Sequence, residues 1–374
     1  MRIPRKRSRW TLALATVAQT PLLGFAEQSD LKVDRHSNHA SRYVKFVEPV
    51  RGLARSGNLP LPSAAPDSQG YFHPEGGYAE GGKFESPEEH PAWRVSPDSI
   101  APRLPSGWVR ACEWNVARGE KLADLIRRMK QINCDLWFLN ETDLYGLVAR
   151  GAMVAREMAR ALGYSYFAVA EFHELRKDRR GSSGNAVLSR YPLSDGRAMS
   201  LRRFTKRGGY DWAQDLFQPR RGRRSAASVY ASIENGAGTT TRVNLVVLHT
   251  DNMANPLVRR LQFEAVRARL VKPGEPTIMA GDLNTLDFPE PVVFASYLER
   301  ERRSDGASNA FTDCSGGRNR TTMRYLKLDW VLVQEGVGRA LACFPERYRV
   351  EHSGDASDHR PVVVEIRVGS EGGS

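Results

Sequence analysis

Five short stretches of this chain set amides, acids or imidazoles at or just after the ends of apolar runs. They are Trp114-Asn115, Asn140-Glu141 after Leu136-Trp137-Phe138-Leu139, and His249 after Leu245-Val246-Val247-Leu248. Gly281-Asp282-Leu283-Asn284 follows Thr277-Ile278-Met279-Ala280, and the last stretch is a pair, Leu328-Asp329-Trp330-Val331 with Ser357-Asp358-His359-Arg360-Pro361. These are the parts that phosphoester cleavage needs: oxygen ligands for a hard cation, a group that orients or deprotonates water, and donors for the charged transition state. Magnesium prefers oxygen ligands of this kind. Each stretch alone has a plainer reading as a turn residue, a helix cap or a solvated charge. Their joint occurrence, each behind an apolar run, is what points to chemistry.

Such residues need a rigid frame, and strand ends in α/β folds supply one. Trp108–Trp114 reads as a strand, followed by Leu122, Leu125, Ile126 and Met129 on one helical face. Asp135–Asn140 is a second buried strand. Val154, Met158, Ala161 and Leu162 mark a helix stopped by Gly163. Further strands are expected at Tyr164–Ala170, Ala186–Ser189, Ala226–Ile233 and Val243–Leu248, with Asn235-Gly236 as a hairpin signal between the last two. Asn255-Pro256 opens a helix through Leu257, Leu261, Ala265 and Ala268. Thr277–Ala280, Leu328–Val333 and Val362–Ile366 close the series. Strands with helical crossovers, mixed with hairpins, predict an α/β domain of two packed sheets with helices outside.

In this order the stretches resemble the endonuclease/exonuclease/phosphatase superfamily, which includes DNase-I-like nucleases and neutral sphingomyelinases. The resemblance covers about residues 108–368. It implies a four-layer α/β/β/α sandwich with metal and phosphate at one edge of the two sheets. It implies Glu141 as principal magnesium ligand, with manganese as an alternative ion, and Asn115 and Asp358 contributing. Asp282 would orient or deprotonate the attacking water, and Asn284 would hold a phosphate oxygen or that water. His359 would contact the scissile phosphate, with Asp329 fixing its tautomer and favouring its charged form. His249 would be a second phosphate contact or a general acid. Relatives often read Asn-Thr-His-Leu where this chain has Val247-Leu248-His249-Thr250. Gly184-Asn185-Ala186-Val187-Leu188-Ser189 also resembles the family, and Asn185 is either a phosphate-site residue or a turn before a strand.

The chain has 374 residues, 41% of them hydrophobic, and a net charge of +12. The charge is local. Arg2, Arg5, Lys6, Arg7 and Arg9 precede an apolar run from Thr11 to Phe25 with Gly24-Phe25-Ala26 behind it, which reads residues 1–26 as an export signal. That run is too short and interrupted for a membrane span. Segment 202–224 holds eight cations against Asp211 and Asp215, interleaved with Phe204, Tyr210, Trp212 and Phe217. Such a loop suits a nucleic-acid backbone, an anionic membrane surface, or plain solvent; Arg318, Arg320 and Arg324, just ahead of Asp329, would add phosphate contacts. Residues 27–107 read as a Pro/Gly-rich, mostly irregular arm that Tyr71, Phe72 and Trp93 would anchor, and 369–374 as a tail. The four cysteines, Cys112, Cys134, Cys314 and Cys343, form no zinc motif and allow three full pairings; Cys112 and Cys134 are expected as buried free thiols. No obligate protein partner is evident. The substrate stays open between a nucleic acid, favoured by the local charge, a lipid phosphodiester and a smaller phosphoester, with a non-catalytic binder as the fourth alternative.

Overall fold

A computed structural model describes residues 47–49, 79–145, 148–174, 182–201, 220–222, 224–235, 238–252, 254–285, 290–305, 309–316 and 326–369. Its centre is one device used twice. Strand β3 (Trp108–Asn115) leads through helix α1 (Leu122–Ile132) to β4 (Leu136–Leu144), and β3 and β4 pair in parallel. Strand β10 (Thr240–His249) leads through α3 (Pro256–Leu270) to β11 (Thr277–Asp282), again in parallel. Parallel neighbours need a crossover, and the helix supplies it while covering one face of the sheet. All four strands end on the same edge of the fold, where their terminal polar residues gather.

The other elements complete two sheets. One has β1 (Val47–Pro49), β7 (Leu193–Ser200), β9 (Ser225–Glu234), β10, β11, β13 (Asp329–Gln334) and β12 (Thr312–Asp313), in that spatial order. The second runs β14 (Leu341–Val350), β15 (Val362–Val368), β3, β4, β6 (Ser182–Ser189), β5 (Ser165–Glu174) and β2 (Ala79–Lys83), with β8 (Arg220–Gly222) also on β5. Helix α2 (Val154–Leu162) lies beside α1 over the second sheet; α4 (Glu290–Asp305) follows β11 on the side of α3.

Side-chain alternation defines four layers. On β3, Val109 and Ala111 turn into the core between the sheets, while Cys112 and Trp114 face α1 and α2. On β10, Val243, Leu245 and Val247 face the intersheet core, whereas Val246 and Leu248 pack under Phe263, Val266 and Phe294 of the helices. The result is the α/β/β/α sandwich. No helix among the described residues is long and apolar enough to cross a membrane.

Local signals act as expected in several places. Asn255 Oδ1 accepts from Val258 N at 3.0 Å and Pro256 occupies the first turn, so α3 starts where its capping pair stands. Gly163 ends α2 at φ 68°, and a Cβ there would meet Pro87 N at 2.7 Å. Residues ahead of β3 join the body: β2 pairs with β5, and Glu80 accepts from Tyr166 Oη at 2.6 Å and Tyr145 Oη at 3.0 Å. Phe84 and Trp93 pack against the α1–α2 layer, whereas Tyr71 and Phe72 lie outside the described residues.

The cysteine expectation needs correction. Cys112 and Cys134 are not free thiols but a disulfide, with Cα atoms 6.1 Å apart; Cys314 and Cys343 form a second at 5.8 Å. Apolar surroundings suit an inert thiol and a buried disulfide equally well, so they do not distinguish the two. The parallel β3–β4 pairing decides, because it sets the Cys112 side of β3 against the turn into β4, where Cys134 precedes Leu136. Strand β6 also begins earlier than expected, with Gly184 and Asn185 inside it. A Cβ at Gly184 would fall on the Val169 carbonyl of β5, so this glycine serves close strand approach instead of a turn.

Candidate active site

The site is built where the two sheets meet. Asn140, the last regular residue of β4, is fully buried and ties the sheets together. Its Oδ1 accepts from Asp282 N at 2.7 Å; its Nδ2 donates to Leu248 O at 3.1 Å and to Asn185 Oδ1 at 2.7 Å. Three strand ends, β4, β10 and β11, are thereby held in register by one amide. At Gly281 a Cβ would fall on the Leu248 carbonyl, so only glycine lets β11 approach β10 this closely. Immediately after Asn140 the β4–β6 ladder slips and Glu141 takes φ 53°. Asn284 takes φ 47°, a left-handed conformation asparagine tolerates. Positive φ at such positions is strain that the surrounding hydrogen bonds impose.

Asp282 is the hub. Its Oδ1 accepts from Asn284 N at 2.8 Å, and its Oδ2 accepts from Asn115 Nδ2 at 3.2 Å. The Nε2 atoms of His249 and His359 stand 3.5 and 3.8 Å from that same Oδ2. Asn284 Nδ2 donates to Thr250 O at 3.0 Å, tying the loops after β10 and β11 together. His359 is fixed from behind: its backbone carbonyl accepts from Trp114 Nε1 at 3.1 Å, its N–H donates to Ser357 Oγ at 3.2 Å, and Ser357 Oγ donates to Asn115 O at 2.7 Å. Its Nδ1 meets Asp329 Oδ2 at 2.9 Å. Burial works against the imidazolium, but Asp329, the hydrogen bond to it, Asp282 and Asp358 outweigh burial and lift the His359 pKa to about 10. It is therefore cationic at neutral pH, aimed at the same space as Asp282.

Three groups near this core are not among the residues expected from the sequence. Glu113, two residues before Asn115 and fully buried, faces Asp329 and Asp282. Burial pushes its carboxyl well above the usual range, and repulsion from those two acids pushes it further. Both Glu113 oxygens are buried without a hydrogen-bond partner, so its charged form is strongly disfavoured there. Its signal is an acid inside a strand that otherwise reads as buried. Glu171, at the register shift of β5 between Ala170 and Phe172, and Arg224, just before β9, form a buried ion pair at 3.1 Å beside His249. In the sequence Arg224 is merely one cation of a basic segment. Glu171 follows an apolar strand, as the other site acids do, and that same signal marks it.

The expected residues fall into four groups. Asn115, His249, Asp282, Asn284, Asp329 and His359 form the connected network just described. Glu141 is half-buried at the β4 bulge, and Asp358 is exposed on the loop that carries His359. Asn185 is fully buried with its amide donating to Ser225 Oγ at 2.8 Å and Ser225 O at 3.1 Å, a link from β6 to β9. Arg324, Arg318, Arg320, residues 202–219 and Arg223 lie outside the described residues.

Among the described residues one cluster of acids and imidazole is close enough to share a cation. Asp282, Asp329 and His359 offer atoms within 4.8 Å of one another. In that set, however, His359 Nδ1 and Asp329 are engaged with each other. Asn115, Glu141 and Asp358, the ligands expected from the sequence, would each offer an oxygen. Asn115 spends Nδ2 on Asp282, so its amide is oriented, and Oδ1 accepts from Ala117 N at 3.1 Å with a second lone pair left over. This donor chemistry fits a hard divalent ion.

The Endonuclease/Exonuclease/phosphatase family model matches residues 112–359, and the chain belongs to that family of hydrolytic phosphoesterases. No curated protein sequence matches the chain. Among solved structures it is similar to an endonuclease/exonuclease/phosphatase from Beutenbergia cavernae (20% identity, TM-score 0.49, covering 70% of this chain and 72% of that one). It is also similar to the human Nocturnin catalytic domain with bound sulfate (15%, 0.48, 70% and 94%) and to humanized D. rerio TDP2 (15%, 0.46, 70% and 100%).

Proposed function

We propose that the protein is a divalent-cation-dependent phosphodiesterase acting on nucleic acid. One observation carries the catalytic part: Asp282 Oδ2 lies within 4 Å of both His249 Nε2 and His359 Nε2, so a water held by the acid would face a phosphate held by the two imidazoles. In this reading Asp282 orients the water and takes up its proton. Cationic His359 stabilises charge developing on the phosphoryl oxygens, in a buried setting that strengthens the attraction. Asp329 holds His359 by Nδ1 so that Nε2 faces the substrate. Asn284, anchored to the Thr250 carbonyl, supports the phosphate or the water. A magnesium or manganese ion on Asn115, Glu141 and Asp358 would polarise the phosphoryl oxygen as a Lewis acid.

The nucleic-acid part rests on charge. Eight cations interleaved with aromatics in 202–224 suit a phosphate backbone with stacked bases. Export is proposed from the N-terminal composition together with the two disulfides, which persist in oxidising compartments. A second reading, an amphiphilic phosphoester, is favoured by a small, largely apolar pocket between α3 and α4, lined among others by Phe263, Leu283, Val293, Phe294 and Tyr297. Plasmid nicking set beside hydrolysis of bis-p-nitrophenyl phosphate, across a salt series, separates the readings. A nuclease loses nicking steeply with salt and small-ester hydrolysis only weakly. Small-ester hydrolysis with no nicking at any salt overturns the nucleic-acid assignment.

A further inference from the structure

His249 has an unusual neighbour. Its Nδ1 lies 2.7 Å from Arg224 Nη1 and 3.1 Å from Glu171 Oε2. Guanidinium can donate but never accept, and it stays charged at any working pH. A protonated Nδ1 would turn its hydrogen to Glu171 and leave a cation's N–H pressed against it at 2.7 Å, so the shortest contact is satisfied only when Nδ1 turns a lone pair to Arg224. Glu171 does not need the imidazole proton. Its Oε1 accepts from Ser225 N at 3.0 Å, and its Oε2 accepts from Arg224 Nη1 at 3.1 Å. One Nη1 carries two hydrogens, enough for both Oε2 and Nδ1. The ring is also locked in place, because His249, Arg224 and Glu171 are all buried.

We infer that Arg224 is a positioning residue that fixes His249 as the neutral Nε2–H tautomer, making His249 a hydrogen-bond donor to the substrate phosphate. The inference rests on the phosphodiesterase reading of the site and selects between the two roles the sequence leaves open for His249. A neutral imidazole that gave up its Nε2 proton would become an imidazolate, which is far too basic to be formed. No proton therefore leaves His249 during turnover. It acts as a fixed dipole aimed at the phosphoryl oxygens, like a donor of an oxyanion hole. An acid in a carboxylate–histidine pair would instead carry its proton on Nδ1 toward Glu171, with a second on Nε2. Arg224 stands in the way of that arrangement.

The direct test is 15N NMR of the histidine-labelled full chain, with the His249 signals assigned by their loss in His249→Gln. The expected spectrum has a protonated Nε2 and a bare, acceptor-type Nδ1 near neutral pH; a protonated Nδ1 overturns the inference. This readout needs no activity, so it decides the tautomer even if the enzyme turns over no phosphodiester, an outcome that would count against the proposed function alone. Arg224→Met should move the proton to Nδ1, hydrogen-bonded to Glu171, and lower kcat about 10²-fold or more, the usual effect of losing one such donor. Arg224→Lys, which still donates, should recover part of that loss. Because Arg224→Met leaves Glu171 buried without its cation, Arg224→Met/Glu171→Gln is made in parallel. In that double variant the amide introduced in place of the Glu171 carboxylate can again donate to Nδ1, so recovery of the Nε2–H signal is expected. Retention of the Nε2–H tautomer in Arg224→Met would contradict the assignment to Arg224. Finally, a glutamine amide copies an Nε2–H donor but not an acid, so His249→Gln should retain clearly more activity than His249→Ala; equal losses would restore the general-acid role.

Discussion

Replacing Asn140 with alanine should damage both the stability and the chemistry of this protein, because one amide joins the ends of three strands. The substitution strands Asp282 N–H, the Leu248 carbonyl and Asn185 Oδ1, all in fully or nearly fully buried surroundings. A buried polar group that loses its partner costs about 1–3 kcal/mol, and because neighbouring losses are not additive the expected total is about 3–5 kcal/mol. Asp282 N–H is one of the fixed points of the hub carboxylate, so kcat should also fall by at least about tenfold. Urea unfolding followed by tryptophan fluorescence reads the first effect, since Trp114 and Trp137 lie in the adjacent core. Asn140→Asp separates donor from acceptor: it keeps the bond to Asp282 N–H but turns an acceptor against Leu248 O and Asn185 Oδ1. An alanine variant within about 1 kcal/mol of wild type would refute the view that this residue stitches the sheets together.

Other consequences can be checked in the same way. Glu113 has a folded-state pKa raised by burial and by Asp329 and Asp282, so its stability contribution is complete below the ordinary carboxylate range and is lost as pH rises toward the raised value. Glu113→Gln should therefore gain stability relative to wild type between about pH 5 and pH 8 in denaturant unfolding, and a constant difference would contradict a raised Glu113 pKa. Asp329→Asn should drop the His359 pKa from about 10 toward the ordinary imidazole range, followed by NMR titration, and lower kcat about 10²-fold or more; an unchanged titration would remove Asp329 as the cause. The disulfides span 22 and 29 residues, so each is worth about 3–4 kcal/mol, and reduction should lower the unfolding midpoint measurably. An identical midpoint with and without reductant would mean that the bonds do not form in solution.

Much of the frame is readable because local rules coincide with the tertiary arrangement here. Asn255-Pro256 caps a helix whatever lies around it, and the apolar runs before Asn140, His249 and Asp282 are strands because both their faces are covered. The elements that escape notice lack that agreement. Strand β7 alternates buried and half-exposed residues around Asp195 and Gly196, and β14 carries Pro345 and several charges at the sheet edge, where pairing comes from a neighbour. In α4, Val292 and Val293 are exposed where helical periodicity would hide them, which blurs the pattern.

The site is legible by a single rule, polar residues behind apolar strands. That rule names residues but not their partners. It cannot say that Asn185 is spent on Ser225, that Glu113 is crowded by two other acids, or that Arg224 reaches His249. Each of these depends on contacts between segments well separated along the chain, or on the field of several acids at once. Sequence order alone carries no information about such distances.

The central claim, cation-dependent phosphoester hydrolysis at the edge of the two sheets, is met most directly by one comparison. Hydrolysis of bis-p-nitrophenyl phosphate is followed for wild type and Glu141→Ala, each with magnesium and again after EDTA. The account predicts turnover only for wild type with magnesium, with a folded Glu141→Ala protein at background. Equal turnover by a well-folded Glu141→Ala protein, or turnover that survives EDTA, would contradict it.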